Sequence, residues 1–149
     1  MPGPAYKRPV SVLVVLYTLA GQVLLLERVR PKGFWQSVTG SLEEHEMPAA
    51  AARREVLEET GIEVSDGLID LELEQRFPIL DEWRARFPPG TRENVEHAFS
   101  CALPRNVQPQ LNPLEHCRFS WLTAAQAHER TSSWSNRNAI AKVFPDLNV

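Results

Sequence analysis

The segment Gly40–Ile62, "GSLEEHEMPAAAARREVLEETGI", constrains this chain more than any other. It carries six glutamates, with Glu63 just beyond. Pro48 suits the first turn of a helix, where its missing N–H leaves no bond unmade. Gly61 suits the left-handed residue just past a helix end. The pattern predicts a helix over Pro48–Thr60. At roughly 100° per residue, Glu59 lies about 40° from Glu55 and Glu58 about 60° to the other side. Three carboxylates then share one face. Ala49, Ala52 and Val56 form a neighbouring face that can pack against a sheet. Like charges at i,i+4 spacing repel. Two readings remain for that face. One is a solvated helix laced by pairs such as Arg54–Glu58. The other is a face that holds a hard divalent cation, which takes oxygen ligands and converts the repulsion into binding.

The rest of the chain supplies the sheet. Val10–Tyr17 is rich in Val and apolar at successive positions, which predicts a strand covered on both faces. A turn at Ala20-Gly21-Gln22 leads into Val23–Glu27, a hairpin pattern. After the loop "RVRPKGF" comes a short strand, Trp35–Thr39. Leu68–Phe77, Val95–Leu103 and His116–Leu122 read as further strands. "TAAQAHER" and "SNRNAIAKVF" read as two short helices. Pro78–Asn94 holds three prolines and a glycine, which predicts a long loop with a helical turn around "DEWRARF"; long loops are often functional. Strands and helices do not alternate regularly, so the expected architecture is an α/β sandwich rather than a doubly wound sheet. With 149 residues, the chain 1–149 is expected to form one domain with a real core.

The net charge of −3 gives no basic field to attract nucleic acid. Trp83 beside "RAR" is therefore not read as a base-stacking residue. A phosphate-bearing ligand must be met by local Lys and Arg or by a metal. No apolar run reaches transmembrane length, so no membrane partner is expected. "YKRPVSVLVVLYTLA" has the basic start and apolar run of a signal peptide, yet its valines and the hairpin that follows fit a buried strand better. Cys101 and Cys117 lie apart without CxxC spacing, which points to a reduced, cytoplasmic protein. His45, His97, His116 and His128 show no metal-ligand spacing.

Taken together, Gly40, Glu46 and the run Arg54-Glu55-Val56-Leu57-Glu58-Glu59-Thr60-Gly61-Ile62 resemble the signature of the Nudix hydrolases. Seven of its positions are fixed in residue type. At an average usage of about 6% each, a chance match at a given start is on the order of 10⁻⁹, which decides against the plain solvated helix. The resemblance implies a Nudix fold, an αβα sandwich with a mixed sheet, and hydrolysis of a nucleoside diphosphate linked to another moiety. It implies Mg²⁺, with Mn²⁺ as an alternative, held by Glu55 and Glu59. Glu58 becomes a further candidate for ligation or catalysis. Arg54 would orient a glutamate, Glu46 would support the loop, and Gly40 would permit tight loop geometry. Met47, at the helix N-cap, lacks the side-chain oxygen of a good cap.

Outside the signature, "YKRPVSVLVV", "FWQSVTGS" and "SWSNR" resemble the branch of the family that acts on a pterin triphosphate in folate synthesis. The likeness runs from about Tyr6 to about Ile140 and is weakest at Pro78–Arg86 and Arg105–Leu114. The expected reaction is Mg²⁺-dependent release of pyrophosphate from that triphosphate. Its rivals are a housecleaning enzyme for dNTPs or other nucleoside diphosphate derivatives, and a binding module without turnover; the full set Glu55, Glu58 and Glu59 argues against the module. Lys7, Arg28 and Arg30 are the candidate phosphate cations. Phe77, Pro78, Ile79, Leu80 and Trp134 are candidates to line a flat pterin. Ser135 and Asn136 offer polar groups for a heterocycle edge, and Thr39 and Gln36 lie beside the signature. Glu115, in "NPLEHCRFSWL", is the candidate general base or a metal ligand shared with the helix, with Glu58, Glu96 and Glu82 as substitutes for the base. The partner is expected to be a pterin or nucleoside triphosphate, and the protein a monomer.

Overall fold

A computed structural model describes residues 6–64 and 66–147. Its central strand is β1 (Val10–Thr18). Val12, Val14 and Leu16 join the core on one side of the sheet, and Leu13 and Val15 join the core on the other. None of the five is more than 1% exposed, and each such burial contributes roughly 1.5–3 kcal/mol. The two-faced strand expected from the valine run is therefore present.

The sheet is mixed. β1 runs parallel to β6 (Glu93–Leu103) and antiparallel to β4 (Val38–Ser41). β6 is antiparallel to β5 (Leu68–Pro78). β2 (Gln22–Arg28) is antiparallel to β3 (Trp35–Gln36) and to β7 (His116–Thr123). One edge of β1 is shared: Ser11–Val14 pair with β4, whereas Tyr17 pairs with Val23 of β2. This explains a departure from the sequence reading. Trp35–Thr39 is not one strand but two, broken at Ser37, because Trp35 and Gln36 pair with β2 and the chain then crosses to β1.

Helices cover both faces. α1 (Pro48–Thr60) buries Ala51, Ala52 and Val56 against Val12, Val14 and Leu16. Ala51 is a core residue the wheel did not single out, while Ala49 is only partly buried. α2 (Ala124–Arg130) and α3 (Trp134–Val143) bury Ala127, Ala139 and Ile140 against Leu13, Val15 and Leu25. The result is the expected αβα sandwich. Gly61 ends α1 in the left-handed conformation, φ 73°, and its N–H donates to Leu57 O. Met47 provides no side-chain cap, as its chemistry dictates, whereas α2 begins with a Thr123–Gln126 capping box. The loop after β5 contains the expected helical turn, a 3₁₀ turn over Asp81–Arg86. Both cysteines are free. Among the described residues, no helix is long and apolar enough to cross a membrane.

Candidate active site

Arg54 ties the loop before α1 to the acidic face of the helix. Its Nε and Nη2 donate to the two carboxyl oxygens of Glu46, each at 2.8 Å. Nη2 also reaches Ser41 O at 3.0 Å, and Nη1 donates to Glu55 at 2.7 Å and Glu58 at 3.2 Å. Such forked, charge-assisted bonds are stronger than neutral ones. They hold the Glu46 carboxyl below its ordinary pKa and raise that of Arg54. Glu46 returns the constraint by accepting from the Glu43 N–H at 2.9 Å. Arg8 clamps the same loop from outside, donating to Glu43 O and Glu46 O.

Gly40 serves a different purpose from the one expected. It lies in β4, not in a tight turn. A Cβ there would overlap the carboxyl group of Glu55. The glycine is needed for close approach, so that Glu55 can rest on the backbone of β4.

Glu59 is 1% exposed, and neither of its carboxyl oxygens has a hydrogen-bond partner among the described residues. Burial, then the neighbouring Glu55 carboxyl and the charge of Glu115, push its pKa well up. A carboxylate buried this way is costly unless a cation completes it. His116 faces it, with Nε2 3.7 Å from Glu59 Oε1. Burial, then the charge of Arg28, lower the His116 pKa to about 4, so its imidazole is neutral near pH 7 and able to ligate. His116 Nδ1 has no partner among the described residues. Glu59, Glu115 and His116 each bring one ligand atom to within 4.8 Å of the others. The two carboxylates suit a hard divalent cation of the Mg²⁺ or Mn²⁺ type, and the orphaned oxygens of Glu59 fit such an ion.

The cations converge on the same region. Lys7 stands at the surface, and desolvation, then Arg86 and Arg28, lower its pKa against the opposing pull of Glu55 and Glu115. Lys7 thus feels Glu55 and Glu115, with Arg28 and Arg86 beside it, a disposition suited to phosphate. Arg30 is exposed in the turn after β2.

The apolar candidates separate into two groups. Phe77 and Pro78 end β5, and the Phe77 ring meets Trp134 edge to face at a centroid distance of 6.3 Å. Leu80 and Trp134 are about half exposed and available to a ligand. Ile79 is instead buried, its N–H donating to Arg92 O at 2.9 Å. Ser135 is buried in the first turn of α3, and Gln75 Nε2 donates to its carbonyl at 2.9 Å. Thr39 precedes Gly40 in β4. Consecutive residues bridge the two regions: Gln36 Nε2 lies 3.4 Å from His116 Nε2, and the Ser37 N–H donates to Asn136 Oδ1 at 2.7 Å.

Sequence reasoning did not bring His116 together with Glu59 and Glu115, nor Arg86 beside Lys7. The adjacency of His116 to Glu115 was the available signal, but its facing of Glu59 depends on the pairing of β7 with β2. Of the substitutes for the base, Glu82 is on the exposed 3₁₀ turn and Glu96 is buried in β6. Two surface hollows, of about 460 and 450 Å³, lie beside the 3₁₀ turn and beside Cys117, and neither is lined by the α1 carboxylates.

A family model for the NUDIX domain matches residues 7–145. The chain is 45% identical over 144 residues to dihydroneopterin triphosphate diphosphatase of Escherichia coli K12, covering 94% of this chain and 95% of that one. It is 38% identical over 146 residues to the Haemophilus influenzae protein of the same name, covering 95% and 91%. The solved structure of the E. coli dihydroneopterin triphosphate pyrophosphohydrolase superposes with a TM-score of 0.87 at 43% identity, covering 97% of this chain and 100% of that one.

Proposed function

This chain belongs to the NUDIX family, and from that membership we propose that it hydrolyses dihydroneopterin triphosphate to dihydroneopterin monophosphate and pyrophosphate, a step of folate synthesis. The observation that carries this is the 45% identity to the E. coli enzyme over nearly the full length of both chains. The reading is of a single catalytic domain, acting as a cytoplasmic monomer.

Glu55, Glu59 and Glu115 would hold the metal, with His116 beside them; their oxygens suit Mg²⁺, with Mn²⁺ as the alternative. When bound, the ion supplies positive charge for the phosphate oxygens and lowers the pKa of a bound water. The protein's own groups do the rest. Lys7 and Arg28 meet phosphate oxygens. Arg54 keeps Glu55 and Glu58 aimed, since its guanidinium bonds both. Water adds to a phosphorus of the triphosphate, a bridging P–O bond breaks, and pyrophosphate separates from the monophosphate. The water's proton passes to a carboxylate, Glu115 or Glu58. Thr39 and Ser135 offer polar contacts, while Phe77, Pro78, Leu80 and Trp134 flank the ring.

A pyrophosphate-release assay over dihydroneopterin triphosphate and a dNTP panel tests the reading. The highest kcat/KM is expected for the pterin. If every nucleotide tested exceeds it, the housecleaning activity replaces it; absence of all turnover with Mg²⁺ would favour a binding module.

A further inference from the structure

Glu96 is a second buried carboxylate with an unpartnered oxygen, and no step above uses it. Residues two apart in a strand share a face. Ala98 belongs to the core under α2 and α3, so Asn94 and Glu96 look toward α3. Their strand partners on that side are uncharged: Ser11 and Gln75 pair with Glu96, and Asn94 Nδ2 donates to Ser11 Oγ at 2.7 Å. Gln75 is anchored to the first turn of α3 through Ser135 O. Phe77, two residues on, carries the edge-to-face contact with Trp134. Glu96 itself is 4% exposed, and its Oε1 has no hydrogen-bond partner among the described residues. Among the described residues, no Arg or Lys acts on it. A buried acceptor left open is expensive unless a ligand fills it.

Residue pairing joins the position to the strand beside the metal cluster. Ser41 of β4 pairs with Ser11 of β1, which pairs with Glu96 of β6. Two strand spacings, roughly 10 Å, separate Glu96 from β4, whose Gly40 carries Glu55 on the opposite face of the sheet. Gln36 and Ser37 join the two places, one beside His116 and the other bonded to Asn136.

We propose that Glu96 reads the 2-amino-4-oxo edge of the pterin, accepting from the ring N3–H and the 2-amino N–H while Phe77 and Trp134 flank the ring. A carboxylate matches two adjacent donors. Guanine presents the same pair and adenine does not. The inference rests on the pterin reading of the active site and adds the group that selects the ring.

The test compares wild type and Glu96→Gln on dihydroneopterin triphosphate, dGTP and dATP, with metal-free binding of neopterin followed by fluorescence. Glutamine keeps the shape but sets an N–H against one of the ring donors. The variant should lose about 10–100-fold in kcat/KM for the pterin, the scale of a hydrogen bond to a charged group. The loss should appear mainly in KM, with a parallel loss of neopterin affinity, and the pterin-to-dATP ratio of kcat/KM should fall. A second measurement needs no variant: wild type should bind neopterin more tightly than lumazine, whose 2-carbonyl removes one donor. If wild type prefers the pterin triphosphate while folded Glu96→Gln keeps its neopterin affinity, or if lumazine binds as well as neopterin, the role of Glu96 is overturned and the function stands. If wild type prefers every nucleotide, the substrate reading falls and this inference with it.

Discussion

Glu55 and Gly40 are fitted to each other: the carboxyl group of one fills the space where a side chain on the other would begin. Arg54 fixes the remaining freedom of Glu55 with a 2.7 Å bond. The carboxylate is thus held by a strand backbone on one side and a guanidinium on the other, before any metal arrives. Gly40→Ala should displace it while leaving the two cores intact. Loss of such support typically costs 10–100-fold in metal affinity, and the same loss is expected here, read by titrating Mn²⁺ with the folded variant. Unaltered Mn²⁺ affinity would show that Glu55 does not ligate.

Glu59 should oppose stability to serve binding. Its two oxygens are buried without partners, so Glu59→Gln removes a costly group from the metal-free protein. The metal-free variant should melt no lower than metal-free wild type. In wild type, Mg²⁺ at 100 times its Kd should stabilise by about 2.7 kcal/mol, and this gain should vanish in the variant together with turnover. A full Mg²⁺-induced rise in Tm for Glu59→Gln would remove Glu59 from the ligand set.

How much of this was legible in the sequence depended on range. α1 and its glutamate face could be read because capping residues, apolar spacing and acidic spacing all sit within one segment. β1 could be read because a strand buried on both faces must be apolar throughout. The split of Trp35–Thr39 could not, because it is imposed by two different neighbours, β2 and β1. Gly40 was recognised as necessary but for the wrong reason, since the group it makes room for lies on α1. Glu96 could be named only as a substitute candidate for the base, since nothing in its alternating strand marks it as buried. Only the packing of α3 over β5 and β6 reveals that it is buried without a counter-charge.

Burial raises the Glu96 pKa from its ordinary 4.5 to about 7, against a small lowering by Ser135. Below pH 4.5 the group is protonated in both folded and unfolded chains and costs nothing. Between pH 4.5 and 7 the unfolded chain releases the proton while the folded protein keeps it, so stability falls across that window. The cost above pH 7 is roughly 3 kcal/mol. His116, whose pKa is lowered to about 4, works in the opposite direction, with stability lost as pH falls from its ordinary 6.5. That contribution is common to wild type and Glu96→Gln and cancels in their difference. The Tm advantage of Glu96→Gln should therefore be small at pH 4.5 and largest at pH 8. An advantage that does not grow with pH would mean that Glu96 is not held protonated in the fold.

Glu115 is held near Glu59 and His116 by its backbone rather than by its own side-chain contacts. Its N–H donates to Asn112 O at 3.0 Å and its carbonyl accepts from the Val29 N–H at 2.8 Å. These bonds fix the entry to β7 and bring the exposed carboxylate within 4.8 Å of ligand atoms on Glu59 and His116. The side chain can be altered without breaking either bond, so Glu115→Gln should fold normally. If Glu115 takes the proton of the attacking water, kcat should fall by about 10²–10⁴-fold and stay low at any Mg²⁺ concentration. If it serves as a ligand, the apparent Mg²⁺ affinity should fall first, and excess Mg²⁺ should recover much of the rate. A kcat equal to wild type at both low and saturating Mg²⁺ would exclude both roles and move the search for the base to Glu58, which Arg54 already holds at 3.2 Å on the same helix.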